Sequence, residues 1–286
     1  MPWSTQEPPG GNSTVLHAGA DVVLGRFRCL PDDPLWQTEN VVAQGDLVVF
    51  PGTCVQLERG RERIVADRNQ VVLYADGQTF RRRLVHPAGD HCVFLRLSPA
   101  LVDEVSAALP GPAGWGALPI GDATYARLRL LLAELTAPDL PEPDRVEEEL
   151  LAIVAAALDG PPRTPTSVSE AWADAADAVR LVLDGRPSTE RFSLAATAYE
   201  VGYSPFHLAR VFRAATGSSM HAYAERLRLR QALDRVADGE RDLSALAAEL
   251  GFASHSHFTL RFRRAFGRPP SVLRAAGMLS GFDLRS

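Results

Sequence analysis

The sequence predicts an α+β protein of two domains, an antiparallel β-domain with attached helices followed by an all-helical domain. Three observations carry that expectation. A chain of 286 residues suits about two domains. Residues 15–97 hold short β-branched and apolar runs, such as Val22-Val23-Leu24, Asp46 to Phe50 and Val71 to Tyr74, punctuated by Gly19, Gly45, Gly52, Gly60, Gly77 and Gly89. After Ser98 the apolar period lengthens to that of helices, and one helical pattern occurs twice.

The elements follow in order. Residues 1–14 are rich in Pro, Gly and Ser and read as a flexible arm. The short runs up to residue 97, with turn signals between them, fit an antiparallel sandwich or barrel. Ser98-Pro99 opens a helix with Leu101, Val102, Val105 and Leu109 on one face. Tyr125 to Leu135 and Arg145 to Leu158 are two more amphipathic stretches, split by the breaker Pro138 to Pro143. So short a connection predicts an antiparallel pair. Gly160 to Pro165 reads as a stiff linker. The expected organisation is an arm at 1–14, a first domain at 15–159, a linker at 160–167 and a second domain at 168–286.

Composition narrows the function classes. With 46% hydrophobic and 23% charged residues, the chain is too apolar for wholesale disorder. Its longest apolar run, Leu150 to Leu158, is far short of the roughly 20 residues a membrane helix needs. The first eleven residues lack the cationic and apolar stretches of a secretory signal, and Cys29, Cys54 and Cys92 make no disulfide framework. The expectation is a soluble, cytoplasmic protein. All 30 cations are arginine, and they are unevenly placed: residues 1–167 carry 14 Arg against 22 acids, residues 168–286 carry 16 against 13. The later half is the one that can approach phosphates.

That half contains one pattern twice. An alanine-rich apolar stretch leads to Gly202-Tyr203-Ser204 and then to Leu208, Phe212 and Gly217. Its second copy leads to Gly251-Phe252 and Ser254, then to Phe258, Phe262, Phe266 and Gly267. The glycines repeat at 49 residues (202 to 251) and the phenylalanines at 50 (212 to 262), so the second copy has one extra residue, most simply Ala253. Each copy predicts two helices about a tight turn, with the glycine closing the first and the serine capping the second. Phe206, Ala209, Arg210 and Arg213 fall on the outer face of one second helix. His255, Ser256, Thr259, Leu260 and Arg263 fall on that of the other. Such faces can donate to phosphates and base edges in a major groove. Met220 to Ala237 runs between the copies without a breaker.

The run Gly202-Tyr-Ser-Pro-Phe-His-Leu-Ala-Arg-Val-Phe-Arg213, with Gly251-Phe252 and Phe262-Arg-Arg-Ala-Phe-Gly-Arg-Pro-Pro270, resembles the AraC-type transcriptional regulators over residues 168–278. The resemblance implies seven helices in two helix-turn-helix subdomains that bind adjacent major grooves of promoter DNA. It implies base reading by Phe206, Ala209, Arg210 and Arg213 and by His255, Ser256, Thr259 and Arg263. Leu260 departs from the family, which carries a basic residue there; either neighbouring Arg261 partly compensates, or this subdomain reads bases weakly, through contact with a thymine methyl.

The first half is similar, more loosely, to the cupin-like effector domains of that family, through Phe50-Pro51, Arg81-Arg82-Arg83, His86 to Cys92 and Ser98-Pro99. This implies a small β-barrel whose following helices make a homodimer, and a partner RNA polymerase if the protein is an activator. Three readings of the barrel stay open. It binds a small organic effector, lined by Phe27, Trp36, Phe50, Tyr74 and Phe80; or it holds a soft metal, zinc or copper, on Cys54, His86, His91 and Cys92; or it is a cupin enzyme. The His-x-His of metal-dependent cupins is absent from residues 1–167, as are common nucleophile and phosphate-binding signatures, so no enzyme activity is expected. The alternative to a regulator is a metal- or small-molecule-binding cupin protein whose helical half serves interactions only.

Overall fold

The computed structural model describes residues 12–108, 116–159, 169–186, 190 and 192–278. Most of the arm expected at 1–14, and the linker at 160–167, lie outside the described residues. Two compact units interleave along the chain. One gathers the residues up to Ile120 with Glu147–Gly185, and the other gathers Gly121–Val146 with the residues from Arg186 onward.

The first unit holds the strands β1 (Ser13–Ala18), β2 (Val22–Cys29), β3 (Asn40–Val41), β4 (Leu47–Pro51), β5 (Val55–Arg59), β6 (Glu62–Ala66), β7 (Gln70–Tyr74), β8 (Thr79–Arg83), β9 (Asp90–Leu97) and β10 (Gly116–Pro119). They pair antiparallel in two sheets, one in the order β1-β2-β9-β4-β7-β10 and one in the order β3-β8-β5-β6. The inward residues of both sheets form one core, with Val49, Val72 and Phe94 from the first and Leu57, Ala66 and Phe80 from the second. Strand alternation sorts the side chains. Gly25 on β2 is paired with Phe94 on β9, and a Cβ there would sit 2.2 Å from the Phe94 ring, so only glycine leaves room for the ring to lie across the strand.

Helices fasten to this unit through polar side chains. Helix α1 (Pro99–Ala108) starts where Ser98-Pro99 predicts, the Ser98 hydroxyl accepting from Leu101 N and donating to Asp21 Oδ1 at 2.8 Å. On α3 (Pro143–Leu158), Glu147 accepts from the backbone N–H groups of Asp21 and Val22, and its other oxygen lies 3.1 Å from His17 Nε2. Helix α4 (Glu170–Gly185) buries Ala175, Ala176 and Val179 and meets Arg63 through Asp174 and Asp177.

The second unit is helical: α2 (Asp122–Glu134), α5 (Leu194–Glu200), α6 (Pro205–Thr216), α7 (Met220–Ala237), α8 (Leu243–Glu249), α9 (His255–Phe266) and α10 (Pro270–Met278). Here α2 packs on α7, α9 and α10. The stretches Tyr125 to Leu135 and Arg145 to Leu158, expected as an antiparallel pair, are thus divided, α2 going with the later helices and most of α3 with the strands. Besides burying Leu128, Leu131 and Leu132, α2 carries Asp122, Tyr125 and Arg129, and all three find partners on α7 or just beyond its end.

Candidate nucleic-acid interface and ligand cavity

The two repeat copies fold as the same local structure, element for element. Helices α5 and α8 both close with a Schellman turn: Gly202 N–H bonds Tyr199 O and Tyr203 N–H bonds Ala198 O, while Gly251 bonds Ala248 and Phe252 bonds Ala247. Gly202 and Gly251 have φ of 75° and 70°, a region closed to most side chains, which is why glycine recurs there. Ser204 then caps α6 by accepting from His207 N, and Ser254 caps α9 by accepting from His257 N. Four residues separate α5 from α6 and five separate α8 from α9, which accounts for the extra residue in the second copy.

The buried stripes follow the expected periodicity. Leu208, Val211 and Phe212 are buried on α6, with Phe212 edge-on to Tyr223 of α7 at 5.2 Å. Phe258 and Phe262 are buried on α9, in a ladder of rings running from Phe252 to Phe266. On the outer faces, Phe206 is 83% exposed, Arg210 and Arg213 are exposed, and Ala209 is half-buried. His255, Ser256 and Arg263 are exposed on α9, as is Leu260. Two expectations change. Thr259 is half-buried, and its Oγ1 is buried without a hydrogen-bond partner. Arg261 does not compensate for Leu260, because its Nε and Nη2 bond both carboxylate oxygens of Glu225 on α7.

In the β-unit a cavity of about 530 Å³ opens between the sheets. Phe27, Tyr74 and Phe80 line it, whereas Trp36 and Phe50 do not. Phe50 points to the opposite face of β4 from Leu47, Val49 and Pro51, which do line it. Trp36 sits in a short 3-10 helix (Pro34–Trp36) and donates its indole N–H to Leu30 O. The polar part of the wall is Arg82, paired with Asp90 at 3.0 Å and stacked 4.5 Å from the Phe27 ring centroid, together with the buried Arg96, which bonds Gln44. Burial raises the Asp90 carboxyl, and Arg82 opposes that rise. Arg81 and Arg83 point outward, so the arginine run does not act as one cluster.

The metal set proposed for zinc or copper is not assembled. Cys54 is buried, with its N–H on Asp184; His86 accepts from Ala88 N and lies 4.0 Å from Asp184; His91 faces outward while Cys92 faces the cavity. Burial pushes all three thiols up, Cys29 to about 11. Among the described residues, no three His, Cys, Asp or Glu side chains are grouped to hold a metal ion. Nor, among them, is any helix long and apolar enough to cross a membrane.

Two matched helix-turn-helix units joined by one helix define a tandem helix-turn-helix protein. Residues 197–276 match the family described as a helix-turn-helix domain. The regulatory protein SoxS of Salmonella typhimurium is 37% identical over 73 residues, which are 26% of this chain and 68% of SoxS. The chain belongs to the AraC-type transcriptional regulators. Transcriptional regulator Rob of the same organism is 31% identical over 93 residues, and this chain spans only 32% of its length. A solved AraC-type regulator from Chromobacterium violaceum, 27% identical, is covered in full (100%) by 41% of this chain, with a TM-score of 0.35.

Proposed function

We propose that this chain is a sequence-specific regulator of transcription. Residues 168–286 bind double-stranded promoter DNA, and the domain at 15–159 senses a small molecule in its cavity. The observation that carries the reading is the matched pair of helix-turn-helix units, each with a recognition helix exposing groups suited to a groove: Phe206, Arg210 and Arg213 on α6, and His255, Ser256 and Arg263 on α9. The 18-residue connector α7 spans about 27 Å at the helical rise. That reach is of the order needed to set two helices in successive major grooves, about 34 Å apart. Ala209 and Thr259 complete the reading faces by position, and the half-buried Thr259 is the weakest of the eight.

Two antiparallel sheets around one core support the cupin-like barrel reading, and the apolar, aromatic cavity supports an organic effector over a metal ion. We further propose a homodimer through the first domain, a cytoplasmic location and, for an activator, RNA polymerase as partner. Substituting Arg210 tests the central claim. A base contact supplies about 1–3 kcal/mol of discrimination, so Arg210→Ala should weaken binding to a selected duplex about tenfold or more with the fold intact. Equal gel-shift affinity of variant and parent would remove α6 from the groove.

A further inference from the structure

The connector α7 has two unlike faces. Arg226, Arg230 and Asp234, four residues apart, turn toward Asp122 and Tyr125 of α2. His221, Glu225 and Arg228 share the roughly opposite face and line a cleft of about 410 Å³. Phe192 forms one wall. The other wall comes from the second helix-turn-helix, through Phe252, His257 and Arg261.

The charges in this cleft do not balance. Its one carboxylate among the described residues, Glu225, is buried and gives both oxygens to Arg261. Arg228 is left with its Nε buried and without a hydrogen-bond partner, its guanidinium 5.5 Å from the Phe252 ring centroid. Burial lowers the Arg228 pKa, and Glu225 only partly opposes it. His221 and His257 flank the opening, each edge-on to a phenylalanine, Phe192 and Phe252 respectively. A partly buried guanidinium whose neighbouring acid is already engaged calls for an anion.

Placement says which anion. On α9, His257 and Arg261 lie along the flank of the helix, turned away from Ser256 and Arg263. When a helix enters a major groove, its flanks face the two sugar–phosphate strands that border the groove. With α6 and α9 set in successive major grooves, the flank beside α7 would face the intervening strand that borders the α9 groove on the α6 side. We propose that the cleft receives a backbone phosphate of that intervening strand, with Arg228 as its principal donor and His221 and His257 beside it. The inference rests on the DNA-binding reading and adds a sequence-independent clamp between the two readers.

The test uses the full chain and a mixed-sequence 30-base-pair duplex, with affinity measured across salt concentrations. Losing one phosphate contact lowers the slope of log K against log salt by about 0.9, or roughly 3.5-fold in affinity between 50 and 200 mM salt. Arg228→Gln is expected to show that loss, Arg228→Lys to retain most of the slope, and Arg81→Gln, which removes an equal charge from the exposed face of β8, to leave it unchanged. His257→Asp, whose acid suits the first turn of α9, keeps the test valid should Arg228→Gln fold poorly, and it is expected to lower affinity at least as far. An unchanged slope in Arg228→Gln would overturn the clamp while leaving DNA binding in place. So would inorganic phosphate stabilising the parent but not Arg228→Gln while the duplex slope stays the same, since the cleft would then be a free-anion site. Absence of duplex binding by the parent chain would take down the DNA reading and the clamp together.

Discussion

Asp122 Oδ1 lies 2.7 Å from Nη2 and 3.2 Å from Nε of Arg230, whose side chain has no exposed surface. Around this pair, the Arg230 guanidinium sits 4.8 Å from the Tyr125 ring centroid, the Tyr125 hydroxyl donates to Asp234 at 2.8 Å, and Arg129 pairs with Asp234 and Asp238. A stretch of chain far from α7 in sequence is thereby locked to the helix that joins the two recognition units.

Removing Asp122 takes a carboxylate from a fully buried guanidinium, which keeps its other contacts. Asp122→Ala is expected to destabilise the helical unit by about 2–3 kcal/mol, the cost of losing a charged hydrogen-bond partner at a buried site. Urea unfolding of the full chain, followed by near-ultraviolet signals from Tyr125 and its neighbours, measures it. A loss below about 0.5 kcal/mol would mean that Arg230 is held by its remaining contacts alone.

The helix-turn-helix pair was legible because its signals are local. Gly202 and Gly251 must take positive φ, Ser204 and Ser254 must cap, and Phe212 and Phe262 must face inward, and each of these constraints acts within a few residues. The attachment of α2 was not legible, since periodicity reveals an apolar stripe but not that Asp122 will find an arginine 108 residues away. Register hid the cavity wall in the same way. The sequence marks Phe50 as a strand residue, and only the pairing of β4 with β7 and β9 decides that Val49 rather than Phe50 faces inward. Arg228 carried no signal of its own, because its role depends on Glu225 being taken by Arg261.

Thr259 gives a sharp contrast between stability and recognition. Its Oγ1 is buried and unpartnered, so Thr259→Val replaces an unsatisfied hydroxyl by a methyl of nearly the same shape. The variant is expected to gain about 1 kcal/mol in thermal unfolding. If the hydroxyl makes no base contact, affinity for a selected duplex stays within twofold. A tenfold loss of affinity would show that the Thr259 hydroxyl itself reads a base.

Ala43 stands exposed at the mouth of the β-unit cavity. A large ring there fills the opening without displacing core side chains. Ala43→Trp is therefore expected to keep the parent's unfolding temperature within about 2 °C, a stability change of under 1 kcal/mol. It should also abolish stabilisation by small aromatic compounds found to raise that temperature in the parent. Stabilisation surviving in the variant would place the ligands elsewhere.

Asp184 near the end of α4 offers a pH-dependent readout. Its carboxylate accepts from Cys54 N at 3.2 Å and lies 4.0 Å from His86 Nε2. Burial raises its pKa above the usual carboxylate range, while His86, Arg68 and the Cys54 N–H act in the lowering direction without overcoming burial. An acid whose pKa is higher folded than unfolded binds protons more tightly in the native state. Stability therefore rises as pH falls through the folded value, and the gain is complete below the unfolded one. Asp184→Asn keeps an acceptor for Cys54 N and removes the titration, so its stability relative to the parent should be greatest near pH 7 and shrink steadily on acidification toward pH 4. Chemical denaturation of both proteins across that range checks it, and a difference independent of pH would show that the carboxylate is not held in the buried site that the fold gives it.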